Sequence, residues 1–196
     1  MAVYTKITSK EIVSISNFYQ LDKIIKFKGI KKGIENTNYL LKTDKKKLIL
    51  TIFEKRVRKK DLPFFMKLMD KLNQKNIICP KPLKNKKGQH LSTIKGKSAC
   101  IVSFVEGKDK TKLNNQNCFE VGKNIAKFHQ VSNRIKLYRR NSMSVTQLDS
   151  LLKSIKIKSS KVSSGIVPIL YKNLKDIKKE WPKDLPSGII HGDLFI

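Results

Sequence analysis

Three cysteines, Cys79, Cys100 and Cys118, are too few and too far apart for a disulfide framework, and no CxxC pair exists to start a zinc site. They are expected to be free, buried thiols of a reducing, cytoplasmic protein. Long apolar runs are missing too. Nothing approaches 18 consecutive apolar residues, so no membrane-spanning helix is predicted. The first ten residues are polar and lack the apolar stretch of a secretory signal. Arginine is scarce: the 43 basic residues are 38 lysines and 5 arginines. A nucleic-acid reader favours arginine, whose planar fork pairs with phosphate and with guanine edges. The lysines are also spread along the whole chain. The net charge of +28 is therefore read as compositional drift with weak, salt-sensitive attraction to polyanions. No specific nucleic-acid or membrane partner is expected. A non-enzymatic basic binding protein is the competing class, and tight binding that survives physiological salt would favour it. No feature of the sequence indicates an oligomeric state.

What is present suffices for a core: 196 residues, 39% of them hydrophobic. Ser9 is placed to cap a first helix with Ile12, Ile15 and Phe18 or Tyr19 on one face. Residues 24–30 alternate apolar and basic, which predicts a strand. A polar turn over residues 31–38 leads to a second strand at 39–43 and a strongly apolar third at 48–53. Asp61 is expected to cap a helix carrying Leu62, Phe65, Met66, Leu68, Met69 and Leu72, with Pro63 in its first turn and both methionines as core filler. Gly88 is read as a hairpin turn before a buried strand over 98–105. Glu106-Gly107 is a hinge candidate. Helices follow at 114–132, 145–157 and 165–181. Residues 1–105 thus read as an α+β lobe and residues 106–196 as a helical one.

Three stretches are candidates for chemistry. Residues 33–38, with Gly33, Asn36, Thr37 and Asn38, sit between two strands where a backbone can approach phosphates closely. On the third strand Thr51 stands where kinases carry a phosphate-binding lysine. Lys55, Arg56 and Arg58 follow and are read as solvated charge. The third stretch is His191-Gly192-Asp193, which follows the apolar pair Ile189-Ile190. Phosphoryl transfer to an alcohol needs a carboxylate to orient and accept the hydroxyl proton, and Asp193 suits that role. His191 is read as bracing the loop. His129, on a helix face with Ile125 and Phe128, is read as a core histidine, and His90, in the hairpin, has no assigned role.

Taken together, these residues resemble bacterial homoserine kinases of the aminoglycoside-phosphotransferase and choline-kinase type, not the GHMP type. The resemblance is carried by Gly33-Ile34-Glu35-Asn36-Thr37-Asn38-Tyr39, Leu50-Thr51-Ile52-Phe53-Glu54, Asp61-Leu62-Pro63-Phe64-Phe65 and Cys79-Pro80-Lys81-Pro82. Val102-Ser103-Phe104-Val105-Glu106-Gly107, Val121-Gly122 to His129, Arg140-Asn141 and Ile190-His191-Gly192-Asp193-Leu194-Phe195 complete it. It implies a protein-kinase-like two-lobed fold, with a small antiparallel-sheet N-terminal lobe over 1–105 that binds ATP and a mainly helical C-terminal lobe over 106–196, incomplete here. It implies ATP-dependent phosphorylation of L-homoserine, a step toward threonine, with ATP and Mg2+ as cofactors. Adenine would hang from the backbone near Phe104 and Val105. The 33–39 turn would cover the phosphates, and Thr51 is what this subfamily shows. Arg140 and Asn141 are assigned to a substrate-side loop. Another small-alcohol kinase, of choline or aminoglycoside type, is the alternative within the class.

In the H-x-D-x-x-x-x-N signature of such kinases the metal-holding asparagine would fall just past Ile196. The second metal-binding aspartate would lie further on. No metal ligand is therefore expected within these residues. The chain by itself is expected not to turn over, and to expose apolar surface.

Overall fold

The computed structural model describes residues 3–33, 35–55, 57–108, 110–142, 144–160 and 165–194, with the backbone alone over 156–160. Ile34, Arg56 and Phe195, which figured among the candidate motifs, lie outside the described residues.

The strongest local signal is the period-two alternation of the third strand. Leu48, Leu50 and Ile52 are almost wholly buried, while Ile49 and Thr51 between them are half-buried. This strand, β3 (Lys47–Ile52), is the centre of a five-stranded antiparallel sheet. The others are β1 (Ile24–Gly29), β2 (Thr37–Thr43), β4 (Leu91–Ile94) and β5 (Lys97–Ser103), in the order β1-β2-β3-β5-β4. Apolar side chains stand on both faces of β3, Leu48, Leu50 and Ile52 on one and Ile49 on the other, and a helix covers each. Helix α1 (Ser9–Tyr19) lays Ile12, Ile15 and Tyr19 on Tyr39, Leu41, Leu48, Leu50, Ile52 and Ile101. Helix α2 (Leu62–Gln74) lays Phe65, Met66 and Met69 on Ile49, Phe53, Cys100 and Val102. Full burial of each large aliphatic side chain contributes about 1.5–3 kcal/mol.

The cap of α1 is Thr8, not Ser9. Its hydroxyl accepts from the Glu11 amide while the Glu11 carboxylate accepts from the Thr8 amide, a reciprocal box that satisfies two end donors. The expected cap at Asp61 makes no side-chain bond to the helix. A single 3-10 turn over Lys59–Asp61 leads into α2 instead, and the Asp61 carboxylate accepts from Arg58. The hairpin joining β4 and β5 turns at Lys95 and Gly96, not at Gly88, which makes a separate turn before β4. β2 also begins two residues earlier than the polar composition suggests, so Thr37 and Asn38 are strand residues.

The chain forms two compact units. The first is Met1–Leu137 with Gly188–Ile196, and it contains the sheet, α1, α2 and α3 (Asn115–Ser132). Val105 and Glu106 both lie within it. The second is Tyr138–Ser187. Here α4 (Val145–Ser160) and α5 (Ile166–Glu180) pack together, with Leu152 and Leu174 buried and Asp149 ion-paired to Lys178. Along α3 the predicted apolar stripe is only partly covered: Phe119 is 62% and Val121 45% exposed, while Ile125, Phe128 and Val131 are half-buried. No helix among the described residues is long and apolar enough to cross a membrane.

Candidate functional site

The turn between β1 and β2 is built from its C-terminal end. Gly33 sits at φ +102 in open space. Asn36 then accepts a long bond (3.4 Å) from the Glu54 amide. Thr37 is 0% exposed. Its hydroxyl donates to Glu54 Oε1 at 2.7 Å and accepts from the amides of Tyr4 and Thr5, at 2.9 and 3.1 Å. One proton and two acceptor positions are all a hydroxyl has. The Thr37 side chain is therefore not available to a ligand, and only its backbone faces that question. Asn38 and Thr51 are cross-strand partners, and the Thr51 hydroxyl donates to Asn38 Oδ1 at 2.8 Å. Being two residues from Ile49, Thr51 stands on the α2 side of the sheet.

Glu54, at the exit of β3, was not singled out by its sequence context. Its side chain is 9% exposed and receives Thr5 Oγ1, Thr37 Oγ1 and the Lys97 ammonium, with which it forms an ion pair. Burial alone would push its carboxyl up. The hydrogen bonds from Lys97, Thr37 and Thr5 outweigh that and hold it below the ordinary carboxylate value. The only sequence signal is an acidic residue directly after an apolar strand. Of the cations past β3, Lys55 is exposed, and Arg58 is bonded to Asp61 at 3.0 and 2.9 Å.

At the other end of the sheet, β5 runs out into Phe104 and Val105. The Phe104 amide donates to the Lys47 carbonyl at 3.2 Å, which fastens the segment to the start of β3. Lys47 Nζ lies 5.2 Å from the Phe104 ring centroid and 2.7 Å from Glu106 Oε1. Phe104 is half-buried and Val105 is 41% exposed.

The His191-Gly192-Asp193 loop is attached to the end of α3. Ser132 is 3% exposed, and its hydroxyl shares its one proton between the carbonyls of His129 and Ile189, both at 3.2 Å. Gly192 has φ +74, the left-handed region that a side chain resists, and this bend sets His191 and Asp193 on one short loop. The Asp193 amide donates to His191 Nδ1 at 3.3 Å. The Asp193 side chain is exposed.

His129 is exposed in the last turn of α3, although Ile125 and Phe128 on the face it was read from are half-buried. His90 reaches α2, with its Nε2 3.0 Å from Asp70 Oδ2. All three cysteines are free, but only Cys100 is buried, and burial pushes its thiol up to about 12. Arg140 and Asn141 are exposed and belong to the second unit. Among the described residues no three His, Cys, Asp or Glu side chains gather as a metal site.

The chain matches a family model described as "Phosphotransferase enzyme family" over residues 26–196. It is 40% identical over 195 residues to the homoserine kinase of Rhizobium meliloti, covering 100% of this chain and 60% of that protein. The homoserine kinase of Agrobacterium fabrum is also 40% identical, and that of Methylobacterium radiotolerans 36%, each with 61% of its length covered. The chain thus spans about three-fifths of the length of the curated relatives it matches. Among solved structures it is similar in fold to spectinomycin phosphotransferase in complex with ADP and spectinomycin. The TM-score is 0.55 at 12% identity, over 91% of this chain and 60% of that one. An AMP-bound complex of spectinomycin phosphotransferase gives a TM-score of 0.51, also at 12% identity, over 91% of this chain and 61% of that one.

Proposed function

The chain belongs to the phosphotransferase enzyme family, and on that premise we propose that the whole protein phosphorylates the hydroxyl of L-homoserine with ATP. The products are O-phospho-L-homoserine and ADP, in a step of threonine biosynthesis in the cytoplasm. The observation that supports the reading is the likeness of 36–40% identity over 195 residues to the homoserine kinases named above.

Asp193 is the proposed catalytic residue. Its carboxylate orients the substrate hydroxyl and takes its proton as the oxygen bonds to the γ-phosphorus and the bond from that phosphorus to the β-bridging oxygen breaks. Such a transfer asks the protein mainly for position and charge compensation, so the loop's attachment matters as much as the carboxylate. Ser132 holds the loop at Ile189, and His191 accepts the Asp193 amide. Adenine is assigned to the backbone at Phe104 and Val105, in the lobe over residues 1–105. The phosphates are assigned to the backbone of residues 33–38 with Asn36, Asn38 and Thr51 beside them. Arg140 and Asn141 are assigned to the substrate side. Mg2+ is proposed to accompany the nucleotide, although among the described residues no three His, Cys, Asp or Glu side chains gather around a metal position.

The test is coupled ADP release by the protein at the full length of its relatives, with homoserine, choline and an aminoglycoside as acceptors. Turnover with homoserine and its loss in Asp193→Asn are expected. Turnover only with choline or the aminoglycoside would replace the substrate. The 196 residues alone are expected to bind nucleotide without turnover.

A further inference from the structure

A strap of residues 3–8 crosses the start of the sheet, and its fastening leads into the β1–β2 turn. The strap's amides at Tyr4 and Thr5 donate to the Thr37 hydroxyl. Its Ile7 amide donates to Tyr39 Oη at 3.1 Å, and that hydroxyl donates to the Thr5 carbonyl at 3.0 Å. Val3 lies so close to Gly29 that a Cβ there would stand 2.9 Å from its methyl group. Gly29 is the last residue of β1 before the turn, and Thr37 is the first residue of β2 after it. The strap therefore touches both ends of the turn.

Glu54 converts these contacts into one network. Its Oε1 receives Thr5 Oγ1 and Thr37 Oγ1, both at 2.7 Å. Lys97, at the start of β5, pairs with Glu54 and donates to Thr5 Oγ1 at 2.7 Å. The Glu54 amide reaches Asn36 within the turn. A nearly buried carboxylate thus joins strap, turn, β3 exit and β5. Polar groups that satisfy one another in a low-dielectric site hold a single arrangement, because a partner lost leaves another unpaired.

We propose that Thr37 and Glu54 are positioning residues that lock the β1–β2 turn to the N-terminal strap and so preset it for nucleotide phosphates. The phosphate part of this inference rests on the proposed function, whereas the coupling of strap to turn does not. A preset turn has less ordering to do when the ligand arrives, which strengthens binding with no new contact.

Thr5→Val and Thr37→Val, made singly and together in the 196-residue chain, test it, with Thr37→Ser as the conservative control. Amide hydrogen exchange over 3–8 and 31–36 reports the lock, and ADP titration followed by calorimetry reports its consequence. Either valine variant is expected to speed exchange in both segments and to weaken ADP binding about tenfold. The double variant is expected to add little to either single one, and Thr37→Ser to restore both readouts. Thr5→Val is the decisive variant, because Thr5 lies outside the turn. Unchanged exchange over 31–36 in Thr5→Val, with the strap itself loosened, overturns the lock. Faster exchange with unchanged ADP affinity overturns the presetting. Absence of saturable ADP binding in the unsubstituted chain overturns the nucleotide reading instead, and the exchange data still judge the lock.

Discussion

The hydroxyl of Ser132, in the last turn of α3, donates to the carbonyl of Ile189, 57 residues later and two residues before His191. This bond ties the loop that carries Asp193 to a helix. Ser132→Ala leaves a half-buried carbonyl without that partner, at a cost of about 1–2 kcal/mol. Chemical denaturation is expected to show that loss, and limited proteolysis to show faster cleavage over 188–194. In the protein at its relatives' length, kcat is expected to fall more than the KM for ATP changes.

Glu54 makes stability depend on acid. Its folded carboxyl is held below the ordinary value, by hydrogen bonds from Lys97, Thr37 and Thr5 that exceed the burial penalty. The unfolded chain therefore takes up the proton first as pH falls. The stabilisation is complete above the ordinary carboxylate value of about 4.3 and is lost as pH falls from there through the lower folded value. Glu54→Gln is expected to flatten that part of the stability-versus-pH curve and to cost about 1–3 kcal/mol at neutral pH. Urea midpoints measured from pH 3 to pH 7 check both.

The cysteines are expected to react in order of exposure. Cys118 is exposed, Cys79 is partly buried with its thiol pushed up by burial, and Cys100 is buried with its thiol pushed up to about 12. The thiolate is the reactive form, so Cys118 labels first with a maleimide at neutral pH and Cys100 only on unfolding. Peptide mass mapping against time gives the order.

Thr51→Val removes the donor to Asn38 Oδ1 across β2 and β3. Both residues are half-buried, so water replaces part of the bond, and a loss of about 0.5–1.5 kcal/mol in thermal or denaturant stability is expected. Thr51→Ser, which keeps the hydroxyl, is expected to stay within about 0.5 kcal/mol of the parent by the same measurement.

By itself the sequence determined the parts whose cause is local. The alternation through 48–52 determined β3 and both of its faces, because successive side chains of a strand point to opposite sides. The apolar spacing from Leu62 to Leu72 determined α2, and the glycine between His191 and Asp193 allowed the bend of that loop. Local pattern also misled where it had no view of the neighbour. The stripe on α3 is genuine, yet His129, Phe119 and Val121 are exposed, because periodicity says that a face is apolar and not that something covers it. Gly88 and Gly96 both have positive φ, and only the register of Ile94 with Lys97 decides which one turns the hairpin. Tertiary structure alone decided the role of Thr37. It reads as a polar turn residue until β2 is extended by two positions and its side chain falls on the buried face. Its partners lie 32, 33 and 17 residues away at Thr5, Tyr4 and Glu54, and Glu54 meets Lys97 across another 43. No periodicity encodes such a network, because it exists only once strand register has brought four separate segments to one point.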